Sequence, residues 1–246
     1  MKLLLPFAVI TVFSIFFCGV SLKDVEPVST SNNELSMPKN GKWQNLFDGT
    51  SLNGWHLFNH ANEKVKNWVV EDGILFCLGK SGAITHGDLV TDKSFANFEL
   101  EWVWKIDKGG NSGVMYHVVE DKKYTAPYQT GPEYQLIDDI GFPSKLEEDQ
   151  KVGSDYAMTA ASANKILKPI GEWNTSKIIF NKGQVEHWLN GKLVVKFKAW
   201  SDEWNHKREN GKWKNFPDYG KFKSGVIALQ DHGDKVYFKK IRIKEL

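Results

Sequence analysis

One short segment decides the fold class, and its sequence is Phe98-Glu99-Leu100-Glu101-Trp102-Val103-Trp104-Lys105-Ile106. Apolar side chains occupy every second position, and most of the positions between them are polar. Successive side chains of a strand point to opposite faces of the sheet. This period of two therefore predicts a β-strand with one face buried in a core.

A second strand signal lies further along the chain, at the dipeptide Asn190-Gly191. It separates two candidate strands, Val185 to Leu189 and Lys192 to Phe197. Asn-Gly supplies the positive φ angles that a type I′ turn requires. The whole stretch therefore predicts a β-hairpin.

Further strand candidates follow one another with no long amphipathic helix between them. They are Trp43–Phe47, Trp68–Glu71, Ile74–Leu78, Asp88–Thr91, Gly113–Val119, Glu133–Asp138, Lys177–Asn181, Val226–Gln230 and Val236–Lys244. A shift of the apolar phase between Phe238 and Ile241 indicates a bulge near Lys239-Lys240. Many short strands without helices predict an all-β fold, an antiparallel sandwich rather than a parallel α/β sheet.

Two long segments fit no strand pattern, and these are residues 120–132 and residues 199–223. The second carries Trp200, Trp204, Trp213 and Tyr219. Loops of this length are uncommon in a compact domain and tend to carry function. Both segments are therefore candidate walls or lids of a site, with ordinary surface insertions as the alternative.

Composition and charge narrow the classes of function. The 246 residues suffice for one sizeable domain rather than two. The 32 Lys and Arg nearly balance the 30 Asp and Glu, and they form no basic arm, so nucleic acid is excluded as a leading partner. Ten Trp, seven Tyr and fifteen Phe favour strands and supply flat apolar faces on which sugar rings stack.

The N-terminal segment predicts export to the periplasm or the cell surface. Residues 1–21 contain one lysine, an uncharged apolar run from Leu3 to Phe17, and small residues before the expected cleavage site, as a signal peptide does. The run is short for a membrane span, so the mature chain is expected to have none. Lipid anchoring through Cys18 is the alternative. Residues 22–40 predict a flexible linker, and residues 41–246 a single domain.

No common catalytic signature occurs in the sequence: it has no zinc-binding helix, nucleophile elbow or phosphate-binding loop. Candidate residues are therefore taken from the strands. Glu133 and Gln135 share one face of a predicted strand, about 7 Å apart, while Tyr134 and Leu136 take the other. At the end of that strand, Asp138 offers a carboxylate for a metal or a sugar hydroxyl. No obligatory organic cofactor is expected, and metal binding stays open.

Two more polar clusters lie at the ends of strands. The glycine-rich turn before Gly113 contains Asn111 and leads into a strand on which His117 shares a face with Met115. A neutral imidazole near pH 7 can take or give a proton. The other cluster holds Gln230 and His232, where a glycine turns the chain.

Several strings of residues occur in order along the chain. They are Leu46-Phe47-Asp48-Gly49-Thr50-Ser51-Leu52-Asn53-Gly54-Trp55, Phe98-Glu99-Leu100, Gly110-Asn111-Ser112-Gly113-Val114, Gly131-Pro132-Glu133-Tyr134-Gln135-Leu136-Ile137-Asp138-Asp139, the Asn190-Gly191 hairpin and Gly225-Val226-Ile227-Ala228-Leu229-Gln230-Asp231-His232-Gly233. Together they resemble the bacterial 3-keto-disaccharide hydrolase domain family, over about Trp43 to Leu246. The resemblance implies a concanavalin A-like jelly-roll sandwich of the lectin and glucanase type, exported by polysaccharide-using bacteria, with a carbohydrate site on its concave sheet. Many members carry Arg at the position of His117.

The resemblance also implies a substrate whose glucosyl unit carries a ketone at C3. That ketone makes the C2 hydrogen acidic, so a base can remove it and the glycosidic oxygen on C1 can leave, after which water adds. Direct hydrolysis is the alternative route. Either route needs a base, an electrophile and a proton donor. We assign His117 or Glu133 as the base.

The other candidates receive binding roles under the same hypothesis. Asn111 and Gln135 bind sugar hydroxyls, and Asp138 orients a partner or a metal. Gln230 and His232 line the far wall of the site.

Two other classes of function compete with this one. The same architecture serves lectin-like modules that bind glycans without cutting them. An ordinary glycoside hydrolase uses two carboxylates about 5 to 10 Å apart, for which Glu99 or Glu101 would have to approach Glu133 from another strand. The oligomeric state is not readable from the sequence.

Overall fold

The computed structural model describes residues 41–80, 82 and 87–246. Within these residues the chain forms thirteen β-strands. They are β1 Gln44–Asn45, β2 Trp55–Leu57, β3 Trp68–Glu71, β4 Ile74–Cys77, β5 Leu89–Phe95, β6 Phe98–Ile106, β7 Asn111–Val118, β8 Glu133–Ile137, β9 Asn174–Asn181, β10 Gln184–Leu189, β11 Lys192–Lys198, β12 Gly225–Leu229 and β13 Val236–Glu245. The predicted signal peptide and linker, Cys18 included, lie outside the described residues and stay predictions.

The helices of the described residues are few and short. They are α1 Asp202–Asn210 and the 3₁₀ helices Pro127–Gln129, Glu148–Gln150 and Lys212–Asn215. None of the helices in these ranges is long and apolar enough to cross a membrane.

The strands form two antiparallel sheets. The larger has the order β11-β10-β9-β6-β13-β4-β3, with β1 also paired to β13, and the smaller has the order β2-β5-β12-β7-β8. The main apolar core lies between them, as the contact of the Trp102 ring of β6 with the Tyr134 ring of β8 shows. The predicted all-β antiparallel sandwich is confirmed.

The alternation in residues 98–106 is confirmed as well. Phe98, Leu100, Trp102, Trp104 and Ile106 are buried, and the residues between them are partly exposed. The strand pairs with β9 on one side and β13 on the other. Its apolar face therefore forms the centre of the larger sheet's contribution to the core.

The predicted hairpin and bulge also occur. Asn190 and Gly191 have φ angles of 48° and 81° between the paired strands β10 and β11. The ladder between β13 and β6 shifts register between Lys239 and Arg242, and Lys240 has a φ of 52°. Positive φ at these positions lets the chain turn or absorb an extra residue.

The smaller sheet has one face toward the core and one face turned away from the larger sheet. On β8, Tyr134 and Leu136 belong to the core, so Glu133 and Gln135 point to the other face because side chains alternate. Their predicted shared face is confirmed. Segments between the strands cover this face and leave a cavity above Glu133.

Candidate functional site

The cavity over the smaller sheet has a volume of about 270 Å³. The residues that line it come from strand ends and from the intervening segments. They are Asn111, Tyr128, Glu133, Gln135, Tyr156, Lys212, Trp213, Phe216, Gln230 and His232. Five of the seven candidates from the sequence thus lie around one cavity: Asn111, Glu133, Gln135, Gln230 and His232.

Glu133 is the one carboxylate among these lining residues. It is only 3% exposed, and burial raises its pKa to about 8, since a buried charge loses hydration. The Lys212 ammonium opposes this rise, and the Asp88 and Asp155 carboxylates add to it. A carboxyl with this pKa binds and releases protons close to neutral pH, as a general acid or base requires.

The glycine on the neighbouring strand makes room for the Glu133 side chain. Gly113 of β7 pairs with Gln135, and two positions further along the ladder Met115 pairs with Glu133. A Cβ atom at Gly113 would lie 2.7 Å from Cδ of Glu133 and closer still to its Oε1. The carboxyl group therefore lies directly over the glycine backbone, a position that any larger residue would obstruct.

Amide side chains surround the carboxyl. Asn111 is buried, and its Oδ1 has no hydrogen-bond partner among the described residues. Gln135 Oε1 accepts a hydrogen bond of 2.9 Å from the Leu136 amide, which fixes the orientation of that side chain. Gln230 is held at the end of β12 by its backbone amide, which donates a hydrogen bond of 2.9 Å to the Gly113 carbonyl. Buried polar atoms rarely stay unpaired, so Asn111 Oδ1 is a ready acceptor for a ligand hydroxyl.

On the side of the cavity near the end of β12, the lining includes the imidazole of His232. His232 is nearly half exposed, and its Nδ1 lies 3.8 Å from Asp234 Oδ2. The same carboxylate oxygen accepts a hydrogen bond of 3.1 Å from the Asn111 amide. Asp234 therefore links the glycine-rich turn before β7 to the turn after β12.

The opposite wall comes from the two long segments and from Tyr156. Tyr128 lies in the first segment, and Lys212, Trp213 and Phe216 lie in the second. The Trp213 indole donates a hydrogen bond of 3.2 Å to the Tyr156 carbonyl, and the Tyr156 amide donates to the Glu133 carbonyl at 3.0 Å. The aromatic wall is thus attached to the strand that carries the carboxyl.

Tyr156 and Lys212, which also belong to this wall, were not among the candidates from the sequence. Tyr156 follows β8 in an irregular segment, where no periodicity marks it. Lys212 lies in the second long segment, whose unusual length was the available signal.

His117 does not reach the cavity, and its predicted face is wrong. Its φ of 54° marks a bulge, because Val226 pairs with Val118 while Ala228 pairs with Met115. The bulge turns the imidazole toward the larger sheet, 4.3 Å from the Phe180 ring.

The environment of His117 is that of a structural histidine. It is 2% exposed, its Nε2 lies 2.9 Å from the Ala96 carbonyl oxygen, and burial lowers its pKa to about 4. His117 and Glu133 therefore lie on opposite faces of the smaller sheet.

Asp138 also lies outside the cavity lining. Its carboxylate accepts hydrogen bonds from the amides of Gly109 at 2.8 Å, Ile140 at 3.1 Å and Gly141 at 2.8 Å. Burial alone raises its pKa, but these amides and the Lys108 charge outweigh burial and lower it. The predicted substrate-binding side chain thus organises the turn after β8.

Neither of the extra carboxylates considered in the sequence joins Glu133 in the cavity. Glu99 pairs with Lys244 at 2.9 Å and Glu101 with Arg242 at 2.6 Å, on strands of the larger sheet. Among the described residues, no group of three or more His, Cys, Asp and Glu side chains is placed to hold a metal ion. The arrangement provides one buried carboxyl group for proton transfer, several hydrogen-bonding amides and an aromatic wall.

Several known proteins are similar to this chain in sequence and in fold. Residues 42–244 match the family described as the 3-keto-alpha-glucoside-1,2-lyase-like domain. The 3-keto-disaccharide hydrolase of Bacteroides thetaiotaomicron is 35% identical over 230 residues, covering 82% of this chain and 77% of that protein.

Two crystal structures from Parabacteroides distasonis, both of candidate glycosyl hydrolases, are also similar. The first is 46% identical with a TM-score of 0.77, covering 84% of this chain and 94% of that chain. The second is 27% identical with a TM-score of 0.64, covering 83% of this chain and 100% of that one. The jelly-roll class expected from the sequence is confirmed.

Proposed function

The chain belongs to the family of 3-keto-alpha-glucoside-1,2-lyase-like domains, and on that premise we propose that it cleaves the glycosidic bond of 3-keto-disaccharides or other 3-keto-glycosides. The resemblance seen in its sequence is thereby confirmed. The chain is a carbohydrate hydrolase. The ketone at C3 of the substrate is the part that we propose.

One observation supports this proposal above the others: the described residues that line the cavity include a single carboxyl group, Glu133, and burial raises its pKa to about 8. Ordinary glycoside hydrolases place two carboxyl groups on either side of the bond. A ketone at C3 removes that requirement, because the C2 hydrogen becomes acidic and one base can start the cleavage. Glu133 has the proton affinity that this task requires.

The reaction follows from removal of the C2 hydrogen. Ionised Glu133 takes this proton, and the electron pair of the C–H bond moves into a C2–C3 double bond while the ketone oxygen becomes an enolate. When the ketone re-forms, the electron pair shifts to a C1–C2 double bond, and the glycosidic oxygen leaves C1 and takes a proton. Water then adds at C1 and a proton at C2. The net result is hydrolysis of the glycosidic bond.

This order of reaction steps accounts for the two activities named for the related proteins. The family is described by a lyase activity and the Bacteroides relative as a hydrolase. Elimination alone gives the lyase products, and elimination followed by addition of water gives those of a hydrolase. Both need the same base at C2, so Glu133 has one role in either case.

Sugar binding is assigned to the amides and the aromatic wall. Asn111, Gln135 and Gln230 present amide groups to hydroxyls, and His232 completes the wall beyond them. The partly exposed rings of Tyr128 and Phe216 supply apolar faces for the sugar ring, and the buried Trp213 packs against both. A lectin-like module would use the same contacts, but it has no need of a buried carboxyl at their centre.

Export is part of the proposal. The predicted signal peptide of residues 1–21 would deliver the domain to the periplasm or cell surface, after the flexible linker of residues 22–40. Lipid anchoring through Cys18 is the alternative. Mass spectrometry of the mature protein distinguishes them, because cleavage after Ser21 removes Cys18 and a lipoprotein retains it with its added lipid mass.

The activity is tested with a panel of disaccharides, each in its 3-keto and its unoxidised form, analysed by mass spectrometry with and without a chelator. We expect sugar release from the 3-keto forms and a loss of kcat of about 10²–10⁴-fold in Glu133→Gln. Glu71→Gln is the matched control, because Glu71 is an exposed acid at the end of β3.

Three results would contradict the proposal. Equal cleavage of the unoxidised forms would indicate an ordinary glycoside hydrolase. Binding without sugar release would indicate a lectin. Undiminished turnover by the E133Q variant would remove Glu133 from the chemistry.

A further inference from the structure

We propose that Lys212 is a catalytic residue that holds the C3 oxygen of the substrate and stabilises the negative charge that develops on it. The inference rests on the proposed function, and it explains how the cavity selects an oxidised sugar over an unoxidised one.

The position of Lys212 is fixed from two sides. It begins the 3₁₀ helix Lys212–Asn215, whose next residue, Trp213, is only 2% exposed and bonds the Tyr156 carbonyl. Its ammonium donates a hydrogen bond of 2.8 Å to Tyr156 Oη. The same nitrogen lies 4.0 Å from the centre of the Tyr156 ring and 5.2 Å from that of Trp213. Lys212 is exposed at this wall, and contacts of this kind restrain its ammonium beside the two rings.

The ammonium has no acidic partner in the part of the chain that the structure describes. Among the described residues, no carboxylate lies within ion-pair distance of Lys212, whereas Lys123, Lys165 and Lys196 all have one. Of the described residues that line the cavity, Lys212 is also the sole Lys or Arg. A cation held against aromatic rings without a counter-charge is suited to a partner that becomes negative during the reaction.

Enolate formation supplies that negative charge. When Glu133 takes the C2 proton, the electron pair moves toward C3 and the ketone oxygen becomes anionic, next to a cation that is already in place. Glu133 becomes neutral in the same step. An unoxidised sugar has a neutral hydroxyl at C3, which gains only an ordinary hydrogen bond from Lys212 and forms no enolate.

Lys212 also acts on the base. Its charge lowers the pKa of Glu133, against the larger effect of burial. The other charges that act on Glu133 are the Asp88 and Asp155 carboxylates, which raise that pKa. Loss of the Lys212 charge therefore raises the pKa of Glu133 and moves the pH profile of turnover to higher pH.

The test compares Lys212→Met, Lys212→Arg and Lys214→Met. Lys214 is exposed on the same 3₁₀ helix and does not line the cavity. We expect kcat for a 3-keto-disaccharide to fall by about 10²–10³-fold in K212M, to be partly kept in K212R, and to be unchanged in K214M. The pH at which turnover reaches half its plateau should rise in K212M. Thermal unfolding checks that each variant is folded.

The outcomes separate the two proposals. A K212M variant that raises KM but keeps kcat and the pH profile would overturn the role of Lys212 in the reaction and leave the proposed function intact. Equal losses in K212R and K212M would also contradict a role for the charge. A wild-type protein that cleaves no 3-keto-glycoside would overturn the proposed function, and the role of Lys212 with it.

Discussion

Replacing Glu133 by Gln should change how the stability of the protein depends on pH. The pKa of this carboxyl rises from an ordinary value of 4.5 to about 8 in the folded chain, because the side chain is buried. The folded state therefore binds more protons than the unfolded state between these two pH values. The contribution of Glu133 to the free energy of unfolding is fully present below about pH 4.5 and is lost as the pH rises toward 8.

The size of the effect follows from the same two values. Each pH unit of separation corresponds to about 1.4 kcal/mol, so the wild type should lose about 3–5 kcal/mol of unfolding free energy relative to the E133Q variant between pH 4.5 and pH 9. Gln has nearly the same shape and no charge. Asp88 and Asp155 titrate in both proteins, so their contributions cancel in the difference apart from their interaction with Glu133.

Urea unfolding of both proteins from pH 4.5 to pH 9, with Glu71→Gln as the control, measures this difference. We expect the E133Q variant to gain stability over the wild type steadily as the pH rises, while E71Q follows the wild type. A difference between E133Q and the wild type that stays constant over the whole range would refute the buried, proton-binding environment assigned to Glu133.

Three other substitutions test the remaining placements. Gly113→Ala should lower kcat by about 10²-fold, since its Cβ displaces the Glu133 carboxyl; an unchanged kcat would show that the carboxyl does not need this position. His117→Gln should lower the unfolding free energy, measured by urea unfolding, by about 1–3 kcal/mol and leave the pH profile of turnover unchanged. A change in the acidic or basic side of that profile would show that His117 takes part in the reaction. Asp138→Ala should lower the unfolding free energy by about 1–3 kcal/mol, because the backbone amides that donate to Asp138 lose their acceptor, and it should leave KM unchanged. A tenfold rise in KM would support the binding role predicted from the sequence.

The parts of the fold that rest on local patterns could be predicted from the sequence. The alternation in residues 98–106 identifies a strand because burial of one face of a sheet requires it, and Asn190-Gly191 identifies a turn because of its backbone freedom. Helix α1 could not be predicted in this way, because it lacks the local pattern of apolar residues that marks a helix. Only Trp204 and Arg208 are buried in it, so it has no apolar stripe. Its signals were the N-cap Ser201 and the acidic first turn.

The parts of the site that depend on tertiary structure were harder to predict. Glu133 and Gln135 were correctly placed on one face because β8 is regular. His117 was not, since a bulge in β7 reverses the direction of its side chain and alternation cannot anticipate a bulge. Lys212 and Tyr156 meet only because two irregular segments fold over the same sheet.

The most direct test of the central claim, that Glu133 removes the C2 hydrogen, is cleavage of a 3-keto-disaccharide in heavy water. We expect deuterium at C2 of the released 3-keto sugar, above the level of an enzyme-free control and lost along with turnover in the E133Q variant. Cleavage to a saturated 3-keto sugar at the full wild-type rate with no deuterium at C2 would contradict this role.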